Sequence, residues 1–102
     1  MADLQFDITR SGSHLLVKVS GRLDAQTATA LQDGIGKALE GIDEITFDLT
    51  ELEFISSAGL RILLAAYKLM AKREGSMQIV NATGDVMSVL EMSGFASLFG
   101  VQ

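Results

Sequence analysis

Apolar and polar residues alternate in two short runs near the start of the chain. Every second residue is apolar from Leu4 to Ile8 and again from Leu15 to Val19. A period of two is typical of half-buried strands, and Gly12, flanked by serines, favours a turn between them. The segment therefore predicts a β-hairpin.

Later segments show the three- and four-residue spacing of amphipathic helices. The first follows Asp24, a good N-cap residue, and the second begins at a serine pair and ends with Lys72, Arg73 and Gly75, which are stop signals. A third helix, weaker in pattern, ends near Gly94. The apolar positions are Ala28, Leu31, Ile35, Ala38, Leu39 and Ile42 in the first helix, Leu60, Leu63, Leu64, Tyr67 and Met70 or Ala71 in the second, and Val86, Val89 and Leu90 in the third.

Two further apolar runs fill the gaps between the helices. A short strand is predicted from Ile45 to Leu49 and a fourth from Met77 to Val80, while no element is assigned to the tail from Phe95 onward. The order β, β, α, β, α, β, α implies an antiparallel first hairpin followed by right-handed parallel crossovers. We expect one α/β domain over residues 1–102, with a four-stranded mixed sheet and helices packed mainly on one face.

Composition limits the classes of function. A chain of 102 residues has room for one hydrophobic core, and a formal charge of −5 with a pI near 4.6 disfavours direct binding of nucleic acid. The absence of cysteine fits a reducing compartment. The first residues do not form a secretory signal, and charged residues interrupt the longest apolar run, Leu60 to Met70. We expect a cytoplasmic protein without membrane insertion.

Few residues could support catalysis. His14, the one histidine, lies in the predicted hairpin turn, where a solvated loop residue is expected. Ser57 lacks the G-x-S-x-G context of a nucleophile elbow, and no glycine-rich phosphate-binding motif follows a strand. Asp48 could act as a phosphoacceptor of the receiver type, but that chemistry also needs an acidic cluster for Mg²⁺ and a later lysine. We therefore expect no enzyme, no metal and no cofactor.

The serine pair Ser56–Ser57 is the most informative feature, because it lies where a strand region gives way to a helix. The first N–H groups of a helix lack partners and attract negative charge, so a hydroxyl there is well placed to carry a phosphate. The alternative is structural: Ser56 caps the helix, and Ser57 occupies its first turn without a special role. The residues alone leave both interpretations open.

The chain resembles the STAS domain family, which includes anti-sigma factor antagonists and the cytoplasmic domains of sulfate transporters. The matching segments are SGRLDAQTA from Ser20 to Ala28, DLTELEFISSAGLRILL from Asp48 to Leu64, and LEMSGF from Leu90 to Phe95. In this family a serine that follows an aspartate and precedes Gly-Leu by one residue is phosphorylated. The resemblance places that acceptor at Ser57, with Ser56 as the alternative. Here Ser56 replaces the aspartate and Ala58 replaces the second hydroxyl.

The resemblance implies partner switching. The unphosphorylated protein would bind an anti-sigma factor that is itself a serine kinase, and phosphorylation of Ser57 would release it until a PP2C-like phosphatase resets the switch. Asp24 would then serve the docking surface, cap its helix, or do both. The residues implied in partner binding are Gly21, Arg22, Asp24, Gln26, Ser56, Ser57, Ala58 and Gly59.

A second hypothesis is a STAS subunit that does not switch, within a lipid or anion transport assembly. The replacement of the family aspartate by Ser56 favours it, since a domain that only docks needs no kinase determinant.

Overall fold

A computed structural model describes residues 4–100. Within this range the predicted order of strands and helices is confirmed, and a short helix is added in the tail that the sequence left unassigned. The elements are β1 (Leu4–Ser11), β2 (His14–Leu23), α1 (Ala28–Ala38), β3 (Glu44–Ile55), α2 (Ser57–Lys72), β4 (Ser76–Val80), α3 (Gly84–Met92) and α4 (Phe95–Phe99).

The four strands form one mixed sheet in the order β1-β2-β3-β4. The pair β1–β2 is antiparallel, whereas β2–β3 and β3–β4 are parallel. Each parallel pair is connected through a helix, α1 in the first case and α2 in the second. The predicted hairpin followed by crossovers is confirmed.

The core lies on one face of this sheet. Val17 pairs with Phe47, and Phe47 pairs with Ile79, so these side chains share a face, and all three are fully buried. The neighbouring register positions Lys18 and Gln78 point to the other face and are exposed. The helices therefore pack on the apolar face, and the opposite face is largely polar.

Strand β3 is longer than the sequence pattern indicated. The prediction ended it at Leu49, but it continues to Ile55 through two register shifts against β2. Each shift is a bulge that adds a residue on β3 and so changes which residues face the core. The first shift brings Leu52 to the core, where strict alternation would not place it, and the second restores the original phase, so that Ile55 is buried as well.

The buried stripe of α2 also differs from the predicted one. Leu60, Leu64 and Tyr67 are only half-buried. Tyr67 instead packs against Phe99 of α4, with ring centroids 5.5 Å apart. The buried positions of α2 are Gly59, Ile62, Leu63, Ala66 and Met70.

Candidate functional site: the start of helix α2 and the adjoining loop

Ser57 is the first residue of α2 and is exposed to solvent. Ser56 precedes it in the N-cap position, with extended backbone angles of φ −100° and ψ 179°. The Ser56 carbonyl accepts the N–H of Leu60 at 2.9 Å, which begins the helical hydrogen-bond ladder. The strand-to-helix junction predicted at the serine pair is therefore confirmed.

The side chain of Ser56 does not form the predicted capping bond. Its Oγ accepts no hydrogen bond from the first turn and is buried without a hydrogen-bond partner. A burial cost of about 1–3 kcal/mol normally accompanies an unsatisfied buried hydroxyl. The helix begins correctly because its backbone is held by the neighbouring strand and not by this hydroxyl.

Gly59 lets the start of α2 approach the sheet closely. A Cβ atom at this position would lie 2.7 Å from Cγ1 of Ile55 and 2.8 Å from Cγ of Leu23. Real Cβ contacts do not come this near, so only glycine fits without movement of those two side chains. The glycine therefore fixes the height at which Ser57 stands above the ends of β2 and β3.

The end of β2 lies beside the serine pair. Leu23 pairs with Ile55, and its carbonyl oxygen accepts the N–H of Ser56 at 2.9 Å. Just upstream, Gly21 has φ +91°, a backbone conformation that glycine adopts without strain. The end of β2 is thus joined directly to the start of α2, which brings the loop after β2 beside it.

Asp24 organises that loop. Its Oδ1 accepts the backbone N–H groups of Gln26 at 3.0 Å and Thr27 at 3.2 Å, and its own N–H donates to Oγ1 of Thr27. This reciprocal pattern is that of a capping box. The prediction that Asp24 is the N-cap of the first helix is wrong, because α1 begins later, with Thr27 as its N-cap residue. Asp24 instead caps the turn that leads into α1.

Arg22 presents its charge at the edge of this surface. Its guanidinium carbon lies 4.1 Å from the ring centroid of Phe54, and its Nε lies 4.0 Å from Oδ2 of Asp24. Cation–π stacking limits the freedom of the side chain. Phe54 was missed by the sequence analysis because only the register of β3 against β2 brings it under Arg22.

Arg61 was missed as well. It lies four residues after Ser57 on α2, and both residues are exposed. Side chains with that spacing share a helix face, so the spacing alone could have identified it.

Asp48 lies within β3, and its carboxylate interacts with neighbouring residues of its own. It accepts hydrogen bonds from the side chain and the N–H of Thr50 and from Asn81. The Thr50 hydroxyl, first among these contacts, lowers the pKa of the Asp48 carboxyl below its ordinary value of 3.8. Within residues 4–100 no group of three or more His, Cys, Asp or Glu side chains is arranged to hold a metal.

His14 is not the solvated loop residue that the sequence led us to expect. It is the first residue of β2, is half-buried, and its Nε2 lies 2.8 Å from Oγ1 of Thr46. Thr46 is buried, with 9% of its surface exposed, so this contact satisfies the hydrogen-bonding capacity of its hydroxyl. Since Thr46 already accounts for the imidazole, the histidine has a structural role.

None of the helices in the described range is long and apolar enough to cross a membrane.

Comparison with known proteins gives a consistent result. A family model described as "Mlab, STAS domain" matches residues 6–100. The anti-sigma F factor antagonist of Paenibacillus polymyxa is 28% identical over 97% of this chain and 86% of its own length. The crystal structure of an anti-sigma factor antagonist from Mycobacterium paratuberculosis superposes with a TM-score of 0.84 at 29% identity, covering 97% of this chain and 85% of that one.

The same fold occurs in the anti-sigma factor antagonist SpoIIAA of Bacillus. Its unphosphorylated form superposes with a TM-score of 0.86 at 18% identity, covering 96% of this chain and 86% of that one. Its phosphorylated form superposes with a TM-score of 0.78 at 17% identity, covering 96% of this chain and 89% of that one.

Proposed function

This chain belongs to the STAS domain family, and from that membership we propose that it is an anti-sigma factor antagonist controlled by phosphorylation. In its unphosphorylated form it binds an anti-sigma factor that is also a serine kinase. The kinase transfers the γ-phosphoryl group of ATP to Oγ of Ser57, giving ADP and a proton, and the complex dissociates. A PP2C-like phosphatase hydrolyses the phosphoserine and restores binding. The chain is the substrate in these steps and not an enzyme.

The observation that carries the proposal is the exposure of Ser57 at the first residue of α2, directly beside the loop after β2. An acceptor hydroxyl must reach a kinase active site, and here Ser57 is exposed at the point where β3 gives way to α2. The Paenibacillus relative is an anti-sigma F factor antagonist, and SpoIIAA exists in a phosphorylated form; both facts support the same proposal.

The docking surface in this proposal joins the end of β2 and the loop after it to the start of α2. The Ser56–Leu23 hydrogen bond holds the two parts together, so a partner meets one continuous surface. Arg22 gives this surface a positive charge. Gly59 allows the start of α2 to pack closely against the sheet. The residues of this surface are Gly21, Arg22, Asp24, Gln26, Ser56, Ser57, Ala58 and Gly59.

A phosphate is sufficient to act as the switch. Phosphoserine carries about −1.5 to −2 charges at neutral pH. An unpaired charge forced into a packed interface costs about 2–5 kcal/mol. Since about 1.4 kcal/mol is a tenfold change in affinity, phosphorylation lowers the affinity of the complex by a factor between roughly 30 and several thousand. The chain acts in the cytoplasm in this proposal, where ATP and the kinase are available.

The test is phosphorylation by an anti-sigma factor kinase from the native organism. The protein is incubated with that kinase and ATP, and the phosphate is mapped by mass spectrometry. We expect phosphate on Ser57, none in Ser57→Ala, and unchanged labelling in the matched variant Ser56→Ala. Labelling that persists in Ser57→Ala but is lost in Ser56→Ala would move the acceptor to Ser56, and no labelling at all would refute the switch.

A second candidate is a STAS subunit that docks in a lipid or anion transport assembly without switching. The observation that favours it is the Ser56 hydroxyl, which replaces the family aspartate and makes no hydrogen bond. Pull-down from the native organism separates the two candidates. The switch predicts a kinase captured by Ser57→Ala and lost with Ser57→Asp, whereas the subunit predicts a permease and an ATPase captured equally by both variants.

A further inference from the structure

Ser57 and Arg61 lie on the same exposed stripe of α2. Both belong to the helix, which runs from Ser57 to Lys72, and both are exposed. Between them, Ala58 and Leu60 are half-buried and Gly59 is buried. Residues four apart are about 6 Å apart along the axis and project from the same face. The hydroxyl and the guanidinium are therefore neighbours across one turn of helix.

Arg61 has no ion-pair or side-chain hydrogen-bond partner among residues 4–100. Among residues 4–100 the one ion pair within 4.0 Å is Arg22–Asp24, and Arg61 enters no side-chain hydrogen bond there. Helix α2 itself contains no acidic residue, since its sequence is SAGLRILLAAYKLMAK. The guanidinium of Arg61 is therefore available to bind a phosphate on Ser57, one turn of helix away.

The other cations near Ser57 are less suitable. Arg22 is stacked on Phe54 and paired with Asp24. Lys68 is on the exposed stripe of α2, but it lies about 16 Å along the axis from Ser57, which exceeds the screening length of about 8 Å at physiological salt. Arg61 is the cation on this helix that can reach a group on Ser57.

We propose that Arg61 is the intramolecular counter-ion of a phosphate on Ser57. This inference rests on the proposed phosphorylation of Ser57. The guanidinium donates to two phosphate oxygens, a geometry that arginine favours and that a single point charge does not reproduce. The pair holds the phosphate along α2 instead of letting it rotate freely in solvent. It also changes the combined charge of residues 57 and 61 from +1 to between about −0.5 and −1, so the local charge at the start of α2 reverses sign on phosphorylation.

The experiment measures the second pKa of the phosphate by phosphorus NMR. Phosphoserine is installed at position 57 during translation by amber suppression, so that no kinase is needed. A cation beside the phosphate stabilises its dianion and lowers this pKa, which is about 6 when unperturbed. We expect Arg61→Gln to raise the pKa by about 0.15–0.4 units. The matched control Lys68→Gln, with the same charge change on the same stripe, leaves it unaltered.

Two further readouts sharpen the test. Arg61→Lys keeps the charge but not the bidentate fork, and we expect a pKa between those of the wild type and Arg61→Gln. Raising the salt concentration should shrink the difference between the wild type and Arg61→Gln, because salt screens exposed pairs. Equal pKa values in Arg61→Gln and Lys68→Gln would overturn the inference. A failure of the native kinase to label Ser57 would refute the proposed function and leave this measurement unchanged.

Discussion

The backbone N–H of Ser56 donates a hydrogen bond to the carbonyl oxygen of Leu23 at 2.9 Å. This bond extends the β2–β3 ladder by one position and ends it at the first turn of α2. The start of the helix is therefore positioned by the sheet, and a change at the end of β2 should be felt at Ser57. The same bond explains how the helix begins correctly although the Ser56 hydroxyl makes no capping bond.

Substitution of Gly59 by alanine should destabilise the fold. The added Cβ would lie 2.7 Å from Ile55 and 2.8 Å from Leu23, and overpacking of this kind costs about 1–3 kcal/mol. The measurement is the free energy of unfolding in urea.

Gly36 provides the matched control for this substitution. It also lies within a helix, but a Cβ there would meet nothing within 4 Å. Gly36→Ala should therefore raise stability by up to about 1 kcal/mol, the usual gain of alanine over glycine in a helix. Equal effects of the two substitutions would contradict the close approach of α2 to the sheet.

The two capping residues should respond differently to alanine. Asp24→Ala removes an acceptor used by the N–H groups of Gln26 and Thr27, and we expect a loss of about 1 kcal/mol. Ser56→Ala removes a buried hydroxyl without a partner, so its free energy of unfolding should stay within about 0.5 kcal/mol of the wild type or rise. Thermal and urea unfolding measure the stability of both variants. A loss of about 1 kcal/mol in Ser56→Ala, the usual cost of a lost cap, would show that the hydroxyl does cap α2 in solution.

The sequence was informative where the interactions are local. The order of the elements follows from periodicity, and Asp24 was identified as a capping residue from its type, although it caps the turn before α1 and not the helix itself. The extension of β3 to Ile55 was not predictable, because two bulges against β2 set which residues face the core. The contact of Arg22 with Phe54 was missed for the same reason, since it depends on the register of separate strands. Helix α4 was missed because a five-residue element carries too little periodicity.

Asp48 should make stability depend on pH in acid. The Thr50 hydroxyl lowers the pKa of its carboxyl below 3.8. The ionised form is thus favoured by folding, and its contribution is fully present above the unfolded pKa and is lost as the pH falls through the lower folded pKa. The stability difference between the wild type and Asp48→Asn should therefore shrink as the pH falls from about 6 to about 3.

Thr50→Val supplies the control for this pH dependence. It removes the hydroxyl that lowers the pKa of Asp48 most and leaves the carboxylate in place. Urea unfolding at several pH values should show a weaker acid loss in Thr50→Val than in the wild type. An acid profile that is identical in all three proteins would mean that Asp48 does not contribute.

The last prediction concerns the positive charge of Arg22 on the proposed docking surface. Arg22 is held by the Phe54 ring at 4.1 Å and is exposed to 42%, so it reaches solvent with part of its side-chain freedom already lost. Arginines restrained in this way often dominate an interface, and we expect Arg22→Ala to weaken partner binding by about tenfold.

Lys37 is the matched control, because it is an exposed cation in the last turn of α1, about 13 Å along the helix from its first residue. Lys37→Ala should leave affinity within about twofold of the wild type. Phe54→Leu separates stacking from charge: it keeps Arg22 but removes the ring, and it should lose part of the affinity that Arg22→Ala loses. Titration calorimetry with the captured partner measures all three variants. Equal losses of affinity from Arg22→Ala and Lys37→Ala would show that the partner does not contact Arg22. The affinity would then depend only on the net charge of the protein.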